Sequence, residues 1–240
     1  MLVRDRGKRL AAIQAAVFDL DGTLLDRRRS FDGFVRNQWI RFSDLFNGVK
    51  EDEYAQSLVE LDADGYAPRQ KLFTTMVAKF ELPEHLADTL LSDYRAGFPS
   101  ACLLFPDAAQ TLATIRASGL KLGLITNGSV RMQQRKLECL NLAPMFDAIL
   151  ISDAEGVTKP DRQIFQRAVD RLNATPDRTV FVGDHPEVDV AGARAAGLRT
   201  IWRRDPKVSR AVEADAVIDD LGELVALLGL EAGGPNGDSQ

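Results

Sequence analysis

The residues of this chain able to do chemistry are mostly carboxylates, and they stand far apart in the sequence. Asp19 and Asp21 come early, Thr126 and Asn127 at mid-chain, Lys159 later, and Asp184 with Asp189 later still. Clustered carboxylates bind a hard divalent cation, a hydroxyl with nearby backbone N–H groups binds an anion, and a lysine neutralises one. Read singly, each has a plain structural explanation. Asp21-Gly22 and Asn127-Gly128 are turn dipeptides, Lys159-Pro160 is a solvated loop, and Asp184 is a helix cap. Their placement sets them apart, because each group stands where an apolar run stops.

The first such run is Ala15-Ala16-Val17-Phe18, part of a strand expected from about Gln14 to Asp19. Alternation along that strand allows Asp19 and Asp21 to point the same way, with Leu20 opposite. Strands are expected at Lys121–Thr126, Ala148–Ser152 and Thr179–Val182, and two shorter ones at Leu198–Trp202 and Asp215–Ile218. Helical spacing fills the gaps at Ala108–Ala117, Val130–Leu140, Asp161–Leu172, Val188–Ala196 and Leu221–Leu228. Strand and helix in alternation imply an α/β fold with a parallel sheet and helices on both faces. In such sheets ligands bind beyond the carboxyl ends of the strands. Thr126, Lys159 and Asp184 are all expected at those ends, beside Asp19.

Residues 26–99 have a different character. Phe31, Phe34, Val35, Trp39, Phe42, Leu45 and Phe46 fall at helical spacing, and further helices are expected at Glu51–Leu61, Pro68–Phe80 and Pro83–Phe98. The block reads as an all-helical insertion between two α/β segments, 1–25 and 100–230. The aromatic stripe reads as helix-packing core, and Arg27, Arg28 and Arg29 as a solvated charge run. Residues 231–240, rich in glycine and polar side chains, are expected to be disordered.

The net charge of −5 and pI near 5.2 argue against nucleic-acid and membrane-surface binding. Cys102 and Cys139 match no disulfide or zinc spacing, and no segment is apolar enough to span a bilayer, so a cytoplasmic location is expected.

The ordered motifs resemble those of the haloacid dehalogenase superfamily of hydrolases. Asp19-Leu20-Asp21-Gly22-Thr23 looks like its first motif and Thr126-Asn127 its second. Lys159-Pro160 looks like the third, and Gly183-Asp184 followed by Asp189 the fourth. The helical block falls where one branch of the family inserts a cap. The resemblance implies a Rossmann-like, doubly wound, mostly parallel sheet with that helical cap. It also implies a phosphatase of small phosphorylated metabolites.

In that reading Asp19 is the nucleophile and Asp21 the general acid and base. Thr126, Asn127 and Lys159 bind the phosphoryl group, while Asp19, the Asp21 carbonyl and Asp184 hold Mg²⁺ and Asp189 gives support. Charge leads to the same cation. Two like charges about 4 Å apart repel by roughly 4 kcal/mol at an effective dielectric of about 20, and Lys159 cannot offset several such pairs. A carboxylate at Asp21 favours phosphate over carbon–halogen chemistry. A phosphomutase, a dehalogenase or a phospho-aspartate switch remains an alternative use of the same residues.

Overall fold

The computed structural model describes residues 12–230. Residues 1–11 and the 231–240 tail lie outside the described residues. Two compact units are distinguished: the described residues up to Leu25 with those from Leu104 onwards, and Asp26–Leu103.

The first unit is built on a six-stranded, wholly parallel sheet. Its strands are β1 (Ala15–Phe18), β2 (Lys121–Thr126), β3 (Ala148–Ile151), β4 (Thr179–Gly183), β5 (Arg199–Arg203) and β6 (Ala216–Ile218), in the order β3-β2-β1-β4-β5-β6. The short apolar runs are buried almost throughout, as parallel strands covered on both faces require. β1 lies between β2 and β4. The chain winds outward to β3, then crosses back to β4 on the other side of β1. Strand order therefore reverses at β1, where the carboxyl ends open the crevice in which ligands of such sheets bind.

Helices of both units can be numbered along the chain. α1 (Arg27–Phe42), α2 (Glu51–Asp62), α3 (Arg69–Lys79) and α4 (Leu86–Gly97) belong to the helical unit. α5 (Ala108–Ala117), α6 (Val130–Cys139), α7 (Ser152–Glu155), α8 (Arg162–Arg171), α9 (Gly192–Ala195) and α10 (Glu223–Leu227) belong to the sheet unit. Ile164, Phe165 and Ala168 of α8 pack on Ala15, Val17, Leu150 and Phe181, with the Phe165 and Phe181 rings edge to face at 5.1 Å. Ala16, Phe18, Leu122 and Leu124, of the other parity, are buried as well. Fully burying a valine, leucine, isoleucine or phenylalanine of this set stabilises by about 1.5–3 kcal/mol, which makes the sheet a rigid platform for its strand ends.

Several element ends shift by one to three residues from their expected places, and one of these shifts bears on the site. The helix expected from Val188 begins at Pro186 as a π-helical segment, Pro186–Ala191, and runs into α9. Pro186 is pre-set for a first helical position, and the His185 ring Nδ1 accepts the N–H groups of Glu187 and Val188, both at 3.2 Å. His185 is thus a helix cap, and burial shifts its pKa downward, favouring the neutral ring that accepts.

In the helical unit Phe31, Phe34, Val35 and Phe46 are buried as core, with Tyr94 and Phe98 meeting Phe31 and Phe34 edge to face. Leu45 is exposed because α1 ends at Phe42 in a 3₁₀ turn that takes Leu45 off the stripe. Arg27 departs from the solvated run: it is buried and bonds Asp62 through both terminal nitrogens, at 2.5 and 3.1 Å. Among the described residues no helix is long and apolar enough to cross a membrane.

Candidate active site

β1 ends at Phe18, and the next residue continues the ladder, Asp19 N–H donating to the Val182 carbonyl at 3.0 Å. Asp19 is therefore held by backbone at the centre of the sheet's carboxyl edge, 6% exposed. The chain then bends tightly. Leu24 and Leu25 N–H groups return to the Leu20 carbonyl, and the Gly22 N–H to Leu25. Gly22 has φ +93°, and a Cβ there would lie 2.3 Å from Asp184 Oδ2. Only glycine lets this bend approach Asp184. Arg203 Nη1 donates to the Gly22 carbonyl at 3.1 Å, and its guanidinium stacks on Phe105, so β5 braces the bend from its own strand end.

Lys159, 3% exposed, reaches in from the loop after α7. Its ammonium donates to Asp19 Oδ1 at 2.6 Å and to Asp189 Oδ1 at 2.7 Å. Asp189 Oδ2 accepts the His185 N–H at 3.0 Å, so both of its oxygens have partners. Asp19, Asp184 and Asp189 each bring a carboxylate oxygen within 4.8 Å of the other two. Three carboxylates thus face one ammonium. Burial raises Asp19 to about 7 despite the pull of Lys159, and burial with the charges of Asp19 and Asp189 holds Asp184 well above the usual carboxylate range. The same two carboxylates outweigh burial at Lys159 and keep it fully protonated.

Thr126 closes β2 and is buried. Asn127, next along, has its side chain engaged at both ends with the Lys159 backbone: it donates to the carbonyl and accepts the N–H, each at 3.0 Å. Its amide therefore fixes the lysine loop. Asp21 turns toward α6, where Lys136 Nζ meets both carboxylate oxygens at 2.7 and 2.8 Å. Gln133 Nε2 donates to Asp21 Oδ2 at 2.9 Å and also to Thr126 Oγ1. Since that oxygen accepts, the hydroxyl hydrogen is left to point elsewhere.

The structure therefore brings Asp19, Lys159, Asp184 and Asp189 into one cluster, ties Asn127 to it through Lys159, and links Thr126 to Asp21 through Gln133. Gln133 and Lys136 do not stand out in sequence-based reasoning, because what marks them, burial of two polar side chains three apart on one short helix, is visible only in the fold.

The donor set fits a hard divalent cation: it is all oxygen, largely buried, and short of positive charge. His185 Nδ1 is committed to its cap and adds no nitrogen to this donor set.

Comparison with known proteins gives consistent likenesses. A family model described as haloacid dehalogenase-like hydrolase matches residues 13–197. The phosphoserine phosphatase of Thermus thermophilus is 39% identical over 127 residues, a match covering 50% of this chain and only 49% of that relative. The glyceraldehyde 3-phosphate phosphatase of Methanopyrus kandleri is 30% identical over 201 residues, 81% of this chain and 85% of the relative. Among solved structures, a dehalogenase 26% identical matches with a TM-score of 0.67, covering 92% of this chain and 99% of its own.

Proposed function

This chain belongs to the haloacid dehalogenase-like hydrolases, and from that premise we propose that it is a Mg²⁺-dependent phosphatase of small phosphomonoesters. The observation that carries the reading is the Asp19 carboxylate, held at the end of the central strand by Lys159 in a cluster with Asp184 and Asp189. Relatives named for phosphoserine and glyceraldehyde 3-phosphate phosphatase activity support a small phosphorylated substrate. The helical unit Asp26–Leu103 is, in the same reading, a cap domain inserted after the first strand.

A carboxylate oxygen of Asp19 attacks phosphorus, and the ester P–O bond breaks as Asp21 gives a proton to the departing oxygen. Water then attacks the aspartyl-phosphate, its proton passes to Asp21, and the P–O bond to Asp19 breaks to release phosphate. Lys159 spreads positive charge over the nucleophile and the incoming phosphoryl oxygens. Thr126, its hydroxyl oxygen occupied by Gln133, offers its hydrogen to a phosphoryl oxygen. Asn127 keeps Lys159 in reach and contributes through its backbone. The carboxylates of Asp19 and Asp184 and the Asp21 carbonyl would hold Mg²⁺, which when bound would supply the charge that lets a phosphate dianion enter among carboxylates. Asp189 supports by holding Lys159.

The dehalogenase neighbour shares the fold, but Asp21 argues for phosphate esters. A halide leaves without a proton, whereas an alkoxide requires one, and here a carboxylate is held in place beside the nucleophile's strand end. The test is a screen of alkyl monophosphates for free phosphate with Mg²⁺ and with a chelator, beside 2-chloroacids for chloride. Phosphate release that needs Mg²⁺ and is lost in Asp19→Asn supports the reading. Chloride release without phosphate release overturns it.

A further inference from the structure

Lys136 and Gln133 have no step of their own in the reaction above, yet both are buried polar side chains aimed at its reacting groups. Lys136 is 4% exposed and spans both Asp21 oxygens. Gln133, 2% exposed, divides the hydrogens of one amide nitrogen between Asp21 and Thr126. They stand three residues apart on α6, on one face of the helix. An ammonium and an amide buried there lower stability unless fully partnered, and an apolar side chain would pack at less cost. Their partners are the acid–base carboxylate and the phosphate-binding hydroxyl.

We propose that Gln133 and Lys136 are positioning residues that lock Asp21 and Thr126 in one fixed relation, so that proton transfer and phosphoryl binding are aligned. This rests on Asp21 being the acid–base group. Asp21 needs such a brace because it sits beyond the strand, in the bend, with its side chain 22% exposed. A single bond to a backbone group leaves a short carboxylate several rotamers. Three bonds from two side chains of one rigid helix leave one.

Asp21 is used twice, to protonate the leaving oxygen and to take a proton from water. A phenolate departs with little help from an acid, but an alkoxide does not. Loosening the brace should therefore slow alkyl ester cleavage, spare the release of phenolate in the first turnover, and leave the aspartyl-phosphate standing.

The test compares Lys136→Met, Gln133→Leu, Lys136→Arg and Asp21→Asn in the full chain with Mg²⁺. Steady-state kcat and KM are measured on an alkyl monophosphate, the phenolate burst on p-nitrophenyl phosphate, and covalent phosphoprotein by intact mass after acid quench. Lys136→Met and Gln133→Leu are expected to lower alkyl kcat by about 10²-fold with little change in KM. They should keep the phenolate burst and accumulate phosphoprotein, and Lys136→Arg, which keeps a cation able to donate to both Asp21 oxygens, should recover most of the alkyl rate. Equal losses on both esters with no phosphoprotein, or an arginine variant no better than methionine, would overturn the proposal. Where Lys136→Met fails to fold, Gln133→Leu and Lys136→Arg decide the matter on the same readouts. Alkyl turnover retained by Asp21→Asn would remove Asp21 from the mechanism; an impaired Asp21→Asn beside unimpaired Lys136→Met and Gln133→Leu would remove only the brace.

Discussion

Gly183 lies so close to Asp189 that a Cβ built on it would stand 2.4 Å from the Asp189 Cβ. The contact links the end of β4 to the π-helical segment, and through Asp189 to Lys159. Gly183→Ala has no room without moving Asp189, so it should destabilise by about 1–3 kcal/mol, the range for overpacking a filled site. It should also lower turnover beyond what the lost folded fraction explains, because Lys159 loses its second anchor. Urea unfolding and active-fraction-corrected kcat check both. A variant with full activity and unchanged stability would mean that Asp189 has freedom the packing denies it.

Lys159 bonds both carboxylates of the Asp19–Asp189 pair. Replacing it with methionine leaves buried carboxylates uncompensated, and breaking a buried pair from one side costs about 3–5 kcal/mol. If Mg²⁺ binds the same cluster as proposed, the loss should be greatest without metal and partly recovered by Mg²⁺. Chemical denaturation of Lys159→Met with and without Mg²⁺ measures this. Equal stability of variant and parent in chelator would show that the cluster needs no countercharge.

The raised carboxyls give the pH dependence a definite sign. Asp19 is lifted to about 7 by burial, and Asp184 well above the ordinary range by burial and its carboxylate neighbours. The folded protein therefore holds protons that the unfolded chain has released, and metal-free stability from these groups rises as pH falls from about 7 toward about 4. Mg²⁺ must displace those protons, so its binding tightens as pH rises through about 7. The rise in Tm on adding Mg²⁺ should accordingly be larger at about pH 8 than at about pH 6, followed by thermal melts across that range. A Mg²⁺ effect independent of pH would place the metal away from these carboxylates.

How far the site could be read from sequence depended on whether its signals were local. β2 was legible because Lys121 and Asn127-Gly128 bound an apolar run on both sides, and Asp19 because its strand stops abruptly at a charge. The π-helical start at Pro186 was not, since a histidine ring took the capping role that serine or aspartate usually fills. Gln133 and Lys136 were hidden because periodicity weighs apolar side chains, and the buried face of α6 carries polar ones beside Leu137. Arg27 departs from the charge run around it for a different reason. Its partner Asp62 lies 35 residues away, and nothing near Arg27 announces a buried ion pair.

That ion pair supports a last prediction, in the helical unit. Asp62, 1% exposed, is shared: Arg27 takes both of its oxygens, and Arg69 Nη1 donates to Oδ1 while its Nη2 donates to the Gly65 carbonyl. The two guanidiniums also lie over aromatic faces, Arg27 5.2 Å from the Phe31 ring centroid and Arg69 5.3 Å from that of Tyr94. Cation–π contacts add about 0.5–2 kcal/mol each but do not neutralise charge. Asp62→Ala therefore removes the carboxylate that two guanidiniums share and should cost about 3–5 kcal/mol, whereas Asp62→Asn, which keeps one acceptor, should cost less. Because the sheet unit has its own core, the loss should appear as an early transition lost from the helical unit, with the sheet unit's transition unmoved, in calorimetry of the full chain. A single transition shifted as a whole would show instead that the two units unfold together.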